Sequence, residues 1–385
     1  MAASVAVPCW AEEEPVLAGE DFIAVKNPKR LPARIPCTRI PLGLPADYKP
    51  CIALLKSGDL FVVAFAERQR EGDEYFISFR SSDGGLNWGP RTELNNGIVS
   101  AREPFTTVLK DGTVLMSAHI LPNDPDNIMP GRWYSFIFRS ADEGHTWSTM
   151  LLGPENWPKK DSVATDRRAV QLPDGTVLMG VSTGLPDVRT AMWRSTDSGK
   201  TWDKSTVCEN EGWRDAGGFF TNSETFLLKS GKLLHINRVD GRNYPLKGGP
   251  PPAELGDHTN RSILWESTDE GKTWRRVRDM GGYGMMYPQL LQLKDGRILY
   301  NFTIRGLAYP LGIQAVVNYD QGEAWDLETD RIIVASKTTK GMDSGGGYGN
   351  TIQLADGTLV TSYSYRGKDN NTHLEVVRWR LADSK

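Results

Sequence analysis

Apolar residues run along this chain in short alternating stretches broken by turns, not in helical stripes. Six of the turns share one form: LKSGDL around Gly58, LKDGTVL around Gly112, LPDGTVL around Gly175, LKSGKLL around Gly231, LKDGRIL around Gly296 and LADGTLV around Gly357. A small or acidic residue before glycine, flanked by alternating apolar positions, is a strong hairpin signal. The six glycines are 54, 63, 56, 65 and 61 residues apart. Between them a second pattern recurs five times, as SSDGGLNW from Ser81, SADEGHTW from Ser140, STDSGKTW from Ser195, STDEGKTW from Ser267 and NYDQGEAW from Asn318. Its shared form is S-x-D-x-G-x-T-W. The aspartate can bond amides of its own turn, the glycine can take positive φ, and the tryptophan can pack the turn on a neighbouring strand. Such a motif reads as a folding staple, since a catalytic group is not usually copied five times.

Each period therefore holds two strands about a hairpin, a connection, and two strands about a staple. Six such periods predict an all-β, six-bladed β-propeller. The sixth period lacks a staple and ends in a strand-like LEVVRWRL at 374–381, so the segment 21–25 is expected to supply its outer strand and close the ring. No linker divides the chain. Residues 1–20 read as an N-terminal extension and 21–385 as a single domain. Two uneven connections, 121–131 and the Pro/Gly-rich 240–260, are expected to be loops rimming a site.

Composition narrows the partners. The chain has 385 residues, with 45 Lys plus Arg against 48 Asp plus Glu, a net charge of −3. That argues against nucleic acid or an anionic membrane held by bulk charge. The longest fully apolar stretch, 60–66, is too short to span a bilayer. Cys9, Cys37, Cys51 and Cys208 have no metal-type spacing and form no disulfide framework, and five scattered histidines make no transition-metal case. No metal or organic cofactor is expected. The start, MAASVAVPCWAEEE, is a poor signal peptide. Localisation stays open: the cysteine usage and this start favour the cytoplasm, while export remains an alternative. Oligomeric state is not legible.

A propeller gathers its innermost strands around one axis, and residues before strand A and after strand B meet at one mouth. Nine residues before each hairpin glycine stand Lys49, Glu103, Asp166, Asn222, Tyr287 and Tyr348; seven before stand Cys51, Phe105, Arg168, Glu224, Gln289 and Asn350. After strand B come Arg68, His119, Ser182, Arg238, Arg305 and Ser364. Charged groups aimed at a confined axis must be paired or bind something. Lys49, Arg68, Arg238 and Arg305 set against Asp73, Glu103 and Glu224 predict a pocket for a small anion, most simply a carboxylate gripped by guanidinium groups. A ring of structural ion pairs around a wet channel is the plainer alternative.

The S-x-D-x-G-x-T-W repeats resemble the Asp-boxes, or BNR repeats, of the sialidase (neuraminidase) family, and AFAERQREGDEY at 64–75 is similar to the segment that gives that family an arginine and its acid/base aspartate. The resemblance spans about 47–379. It implies a retaining exo-glycosidase that removes a terminal α-linked sialic (nonulosonic) acid. It assigns Asp73 as general acid/base, Tyr348 as nucleophile and Glu224 as the carboxylate that takes the tyrosine proton. Arg238 and Arg305 resemble the second and third arginines of a carboxylate-binding triad, with Arg68 beside them. A neutral phenol suits a substrate whose anomeric carbon bears a carboxylate, because a carboxylate nucleophile would be repelled. Asp73 then needs a raised pKa. The chain departs from the pattern in two places. Lys49, in Tyr48-Lys49-Pro50-Cys51, occupies the place of the first triad arginine, the literal Arg39-Ile40-Pro41 lying too far from Gly58. Glu224 sits about two residues nearer its glycine than the pattern has it. Glu103, in Ala101-Arg102-Glu103-Pro104, and Arg168, in Asp166-Arg167-Arg168, could line the subsite for the rest of the sugar or form ion pairs fixing the blades. Tyr287 and Tyr283 could stack on a sugar face or serve packing. Three readings remain: a sialidase, a glycosidase for another acidic sugar, and an inactive glycan-binding propeller.

Overall fold

The computed structural model describes residues 16–67, 74–94, 101–120, 134–152, 163–183, 190–205, 223–242, 245–253, 259–305, 310–338 and 348–382. Every regular element in these residues is a β-strand, and no helix is long and apolar enough to cross a membrane. Each period folds as a small antiparallel sheet. Blade 1 runs Tyr48–Leu54, Leu60–Glu67, Glu74–Ser81 and Thr92–Glu93 from the axis outward. Blade 2 is Arg102–Val108, Val114–Ile120, Tyr134–Ser140 and Ser148–Leu152; blade 4 is Glu224–Leu227, Leu233–Asp240, Asn260–Ser267 and Arg275–Asp279. Blade 3 breaks its inner strand into Val163–Thr165 and Val170–Gln171, both paired to Val177–Thr183, with Thr190–Ser195 outside. Among the described residues its outer edge is a single bridge, Arg194 to Asp203.

The ring closes differently from the sequence-based expectation. Blade 5 is Met285–Gln292, Ile298–Ile304, Gly312–Asn318 and Arg331–Ile333; blade 6 is Gly349–Gln353, Leu359–Arg366 and Thr372–Trp379. The outer strand of blade 6 is Arg34–Leu42, paired Cys37 to Trp379 through Leu42 to Leu374. Phe22–Lys26, expected in that place, instead lies between Arg34–Leu42 and Arg331–Ile333, fusing blades 5 and 6 into one nine-stranded sheet. A longer N-terminal segment covers two open edges rather than one. Arg39 belongs to this closing strand, well away from the axis. It donates to Tyr363 Oη at 2.9 Å, Val334 O at 2.8 Å and Gly19 O at 2.9 Å, and pairs with Glu375 at 3.4 Å.

Burial explains the unbroken apolar run 60–66. Successive side chains point to opposite faces. Leu60, Val62 and Ala64 pack toward Val360 and Val376 of blade 6, while Phe61, Val63 and Phe65 pack toward Met116 and Phe138 of blade 2. Each blade face is covered by a neighbour, so both faces are apolar. Equivalent clusters fill the interfaces between blades 2 and 3, 3 and 4, 4 and 5, and 5 and 6. Six interfaces in a closed cycle are a six-bladed propeller.

The two repeats behave as local chemistry. The hairpin glycines all take φ between 88° and 97°. In the staple from Ser267, Asp269 accepts from Ser267 Oγ at 2.8 Å, Thr273 N at 2.9 Å and Thr273 Oγ1 at 2.6 Å, and Gly271 N donates to Ser267 Oγ at 3.0 Å. The staples also join blades, since Arg139 donates to Ser198 O at 2.9 Å and Arg194 to Glu270 O at 2.6 Å.

Candidate functional site

Three of the residues nine before the hairpin glycines owe their aim to a backbone irregularity. Lys49, Glu103 and Tyr287 have φ of 50°, 54° and 54°, and each lies where its inner strand slips register. Each also precedes a proline: Pro50, Pro104 and Pro288. A left-handed conformation in a non-glycine residue costs on the order of 1 kcal/mol or more, and is retained where the surroundings over-determine it. Here the three side chains share one axial cluster with Tyr348. The X-Pro dipeptide at one register of three blades was the sequence signal for this, and the reading of turns and staples passed over it.

Tyr348 is fully buried, and its hydroxyl has no hydrogen-bond partner among the described residues. Gly349 after it lies so close to blade 6's second strand that a Cβ there would stand 1.8 Å from Ser362 O. The Tyr348 ring meets that of Tyr287 edge to face at 5.1 Å. The Arg167 guanidinium lies 4.3 Å from the centre of the Tyr348 ring and 4.4 Å from that of Phe105. Arg167 reaches across from blade 3 to donate to Pro288 O of blade 5 at 3.2 Å, while its Nε and Nη2 are buried without partners among the described residues. Lys49 Nζ sits 5.6 Å from the centre of the Tyr348 ring. Burial pushes the Tyr348 phenol well above its usual pKa, and Arg167 works against that rise.

Lys49 bonds Glu103, and both are buried. Burial alone would raise the Glu103 pKa, but Lys49, His119 and Arg102 together hold it well below the ordinary carboxylate range. His119 Nε2 is 3.6 Å from Glu103 and is kept neutral by burial, with a pKa lowered to about 4. Beside this pair, Arg102 bonds Glu74 at 3.0 Å and Tyr48 Oη at 3.1 Å. Burial raises the Glu74 pKa to about 7 despite Arg102 and Lys49.

Arg238 and Arg305 converge on Tyr287. Their guanidinium carbons lie 5.5 and 4.6 Å from the centre of its ring, and Arg305 Nη1 donates to Tyr287 Oη at 2.9 Å. Arg305 is placed by Gly284, whose carbonyl accepts the Arg305 N–H at 2.9 Å; a Cβ on Gly284 would stand 1.9 Å from Arg305 O. Tyr283, the other candidate for stacking, is spent on the insertion: Leu246 N donates to its oxygen at 2.8 Å, and its hydroxyl donates to Gly249 O.

Glu224 lies in a second register with a job of its own. Seven before four of the six glycines, a side chain accepts the backbone N–H of the next blade's inner strand. Asn350 Oδ1 takes Ile52 N at 2.7 Å, Gln289 Oε1 takes Thr351 N at 3.2 Å, Cys51 Sγ takes Thr106 N at 3.3 Å, and Glu224 Oε1 takes Leu290 N at 2.9 Å. Glu224 is thus a blade-to-blade stitch that happens to be a carboxylate. Its Oε2 is buried with no hydrogen bond among the described residues, Arg168 stands 3.7 Å from Oε1, and burial raises its pKa. Arg168 also donates to Leu290 O at 3.4 Å. Asp73, Arg68, Asn222, Cys9, Cys208 and the loop 121–131 lie outside the described residues, as does part of 240–260. Among the described residues no group of three or more His, Cys, Asp or Glu could hold a metal ion.

The fold and site define a closed propeller whose axial mouth is rich in arginine and tyrosine. A family model described as BNR repeat-like domain matches residues 46–300, and the chain belongs to that family. Comparison with curated proteins gives no match. Among solved structures, a protein of unknown function from Dyadobacter fermentans superposes with a TM-score of 0.64 at 18% identity, covering 96% of this chain and 97% of that one. The Trypanosoma rangeli sialidase in complex with sialic acid gives 0.57 at 16% identity, over 94% of this chain and 58% of the sialidase; the same sialidase has also been solved with the inhibitor DANA. The intramolecular trans-sialidase from Ruminococcus gnavus, in complex with oseltamivir carboxylate, gives 0.58 at 14% identity over 87% of this chain and 94% of that one. At these identities the likeness is one of fold.

Proposed function

We propose that the protein is a sialidase-type retaining exo-glycosidase that hydrolyses a terminal α-linked sialic acid from a glycan. The observation that carries this reading is the fully buried phenol of Tyr348, without a hydrogen-bond partner among the described residues, in an axial cluster where Arg238 and Arg305 converge. Two guanidinium groups at one mouth suit a carboxylate. The phenol oxygen attacks the anomeric carbon as the glycosidic C–O bond breaks, and the leaving oxygen takes a proton from Asp73. Water then cleaves the tyrosyl intermediate, with Asp73 as base. Glu224 accepts the Tyr348 proton on the Oε2 that its stitching bond leaves unused. Burial of Tyr348 opposes a standing phenolate, so its proton leaves in concert with attack. Arg68 and Arg168 line the rest of the subsite, while Glu103 is held in its pair with Lys49.

The pairing of Lys49 with Glu103 favours a second reading, a glycosidase for a different acidic sugar. An ammonium consumed by an internal carboxylate is not the third fork of a triad. The test is hydrolysis of a fluorogenic sialoside beside a panel of other acidic glycosides. Turnover of the sialoside, abolished by Tyr348→Phe and by Asp73→Ala, is expected. Undiminished rates in both variants would remove the site assignment, and turnover of another acidic glycoside alone would select the second reading.

A further inference from the structure

We propose that Tyr287 supplies the third donor to a bound carboxylate, completing with Arg238 and Arg305 the anion site that Lys49 does not serve. The inference deepens the reading above and rests on it for the class of ligand. Four observations carry it. Lys49 is engaged by Glu103 inside the core. The phenol of Tyr287 accepts from Arg305, and its own proton has no acceptor among the described residues. The guanidinium of Arg238 is partly exposed beside the same ring, with no carboxylate partner among those residues. Finally, the backbone holds Tyr287 at a φ of 54°, which turns its ring to the axis instead of leaving it to pack as an ordinary strand residue.

Two arginines and one O–H form a convergent, positively charged donor set for a planar anion. An oxygen that accepts from a guanidinium has its own O–H polarised, which makes it a better donor to a carboxylate. The charged and titratable groups facing Tyr287 are Arg305, Arg238, Lys49, Glu103 and Tyr348, with His119 behind Glu103. Burial would raise the phenol's pKa, but Arg305, Lys49 and Arg238 carry it below the usual tyrosine value. As a donor, the phenol must be protonated. Carboxylate binding therefore raises its pKa, and affinity falls as pH rises through the Tyr287 ionisation.

The experiment is calorimetric titration of the full chain and of Tyr287→Phe with DANA and with its methyl ester, alongside ultraviolet titration of tyrosinate. Tyr287→Phe keeps the ring and removes only the hydroxyl. The expected result is about a ten-fold loss of DANA affinity with little change for the ester. Tyr287→Phe should also remove one tyrosinate transition with a midpoint below 10, which DANA moves upward in the unsubstituted chain. Equal DANA affinity in both proteins overturns the role of Tyr287 while leaving the sialidase reading intact. If the unsubstituted chain does not bind DANA, it is the sialidase reading that fails; acetate, lactate and pyruvate are then titrated against the same tyrosinate transition. An upward shift by any of them, absent in Tyr287→Phe, supports the anion site, and no shift by any overturns it.

Discussion

Asp166 shows how far one axial residue departs from an ordinary carboxylate. It is buried, accepts from Thr225 Oγ1 at 2.6 Å, and has a pKa raised to about 7, by burial first and by Glu224 as well. Thr225 in turn meets His235 Nδ1 at 2.8 Å. A folded-state pKa above the unfolded value means that the folded chain holds the proton more tightly. The associated stability is present below about pH 4 and is lost as pH rises toward 7. Asp166→Asn keeps an acceptor for Thr225 and removes the titration. Its melting temperature relative to the unsubstituted chain is expected to rise between pH 5 and pH 8, and a constant difference would contradict this. At the residues proposed as catalytic, Tyr348→Phe is expected to lower kcat on the order of 10³-fold or more, and Glu224→Gln to lower kcat while leaving the melting temperature nearly unchanged. An amide still accepts Leu290 N–H, as Gln289 accepts Thr351 N–H, but takes no proton. The positions of these residues around the axis could be counted from the hairpin glycines. Their partners could not, because whether Lys49 meets a ligand or Glu103 depends on distances between blades some fifty residues apart in sequence.

The staples and the inner-strand irregularities differ in what they protect. Asp269 is a local device at the outer edge, and Asp269→Ala loses its three bonds to the turn. The expected loss is about 1–2 kcal/mol of stability with substrate turnover unchanged, read by chemical denaturation beside a rate assay. Gly284→Ala is a small change on paper with a larger effect at the site. The new Cβ would lie 1.9 Å from Arg305 O at a φ of +79°, so the end of the Arg305 strand must move. Lowered ligand affinity together with lowered melting temperature is expected, and unchanged affinity would mean that Arg305 is positioned by something else. The staples were legible because their logic is confined to eight residues. The left-handed Lys49, Glu103 and Tyr287 were less so, because a bulge is defined by the strand opposite.

The whole molecule depends on its closure. Arg34–Leu42 and Phe22–Lys26 cover the edges of blades 6 and 5, Asp330 accepts Lys29 N at 2.6 Å and Arg30 N at 3.0 Å, and the Arg39–Tyr363–Glu375 cluster is buried beneath. Removing residues 1–42 exposes both edges. The truncated chain is expected to melt lower and to regain stability when a peptide of residues 16–42 is added, as read by thermal melts. A truncated chain as stable as the whole would show that the ring holds without this seam. Repeated hairpins and staples were enough to determine, from the sequence alone, six blades, their order, and the register from which Lys49, Glu103, Tyr287 and Tyr348 could be counted, because each signal is local and recurs with one period. Only the tertiary structure decided which N-terminal strand closes the ring, that Glu224 joins blade 4 to blade 5, and that Arg238 and Arg305 meet on Tyr287 while Lys49 turns to Glu103. Those outcomes depend on competition for partners in a shared, poorly solvated space, where a shift of one residue or a few ångströms changes which charge is neutralised.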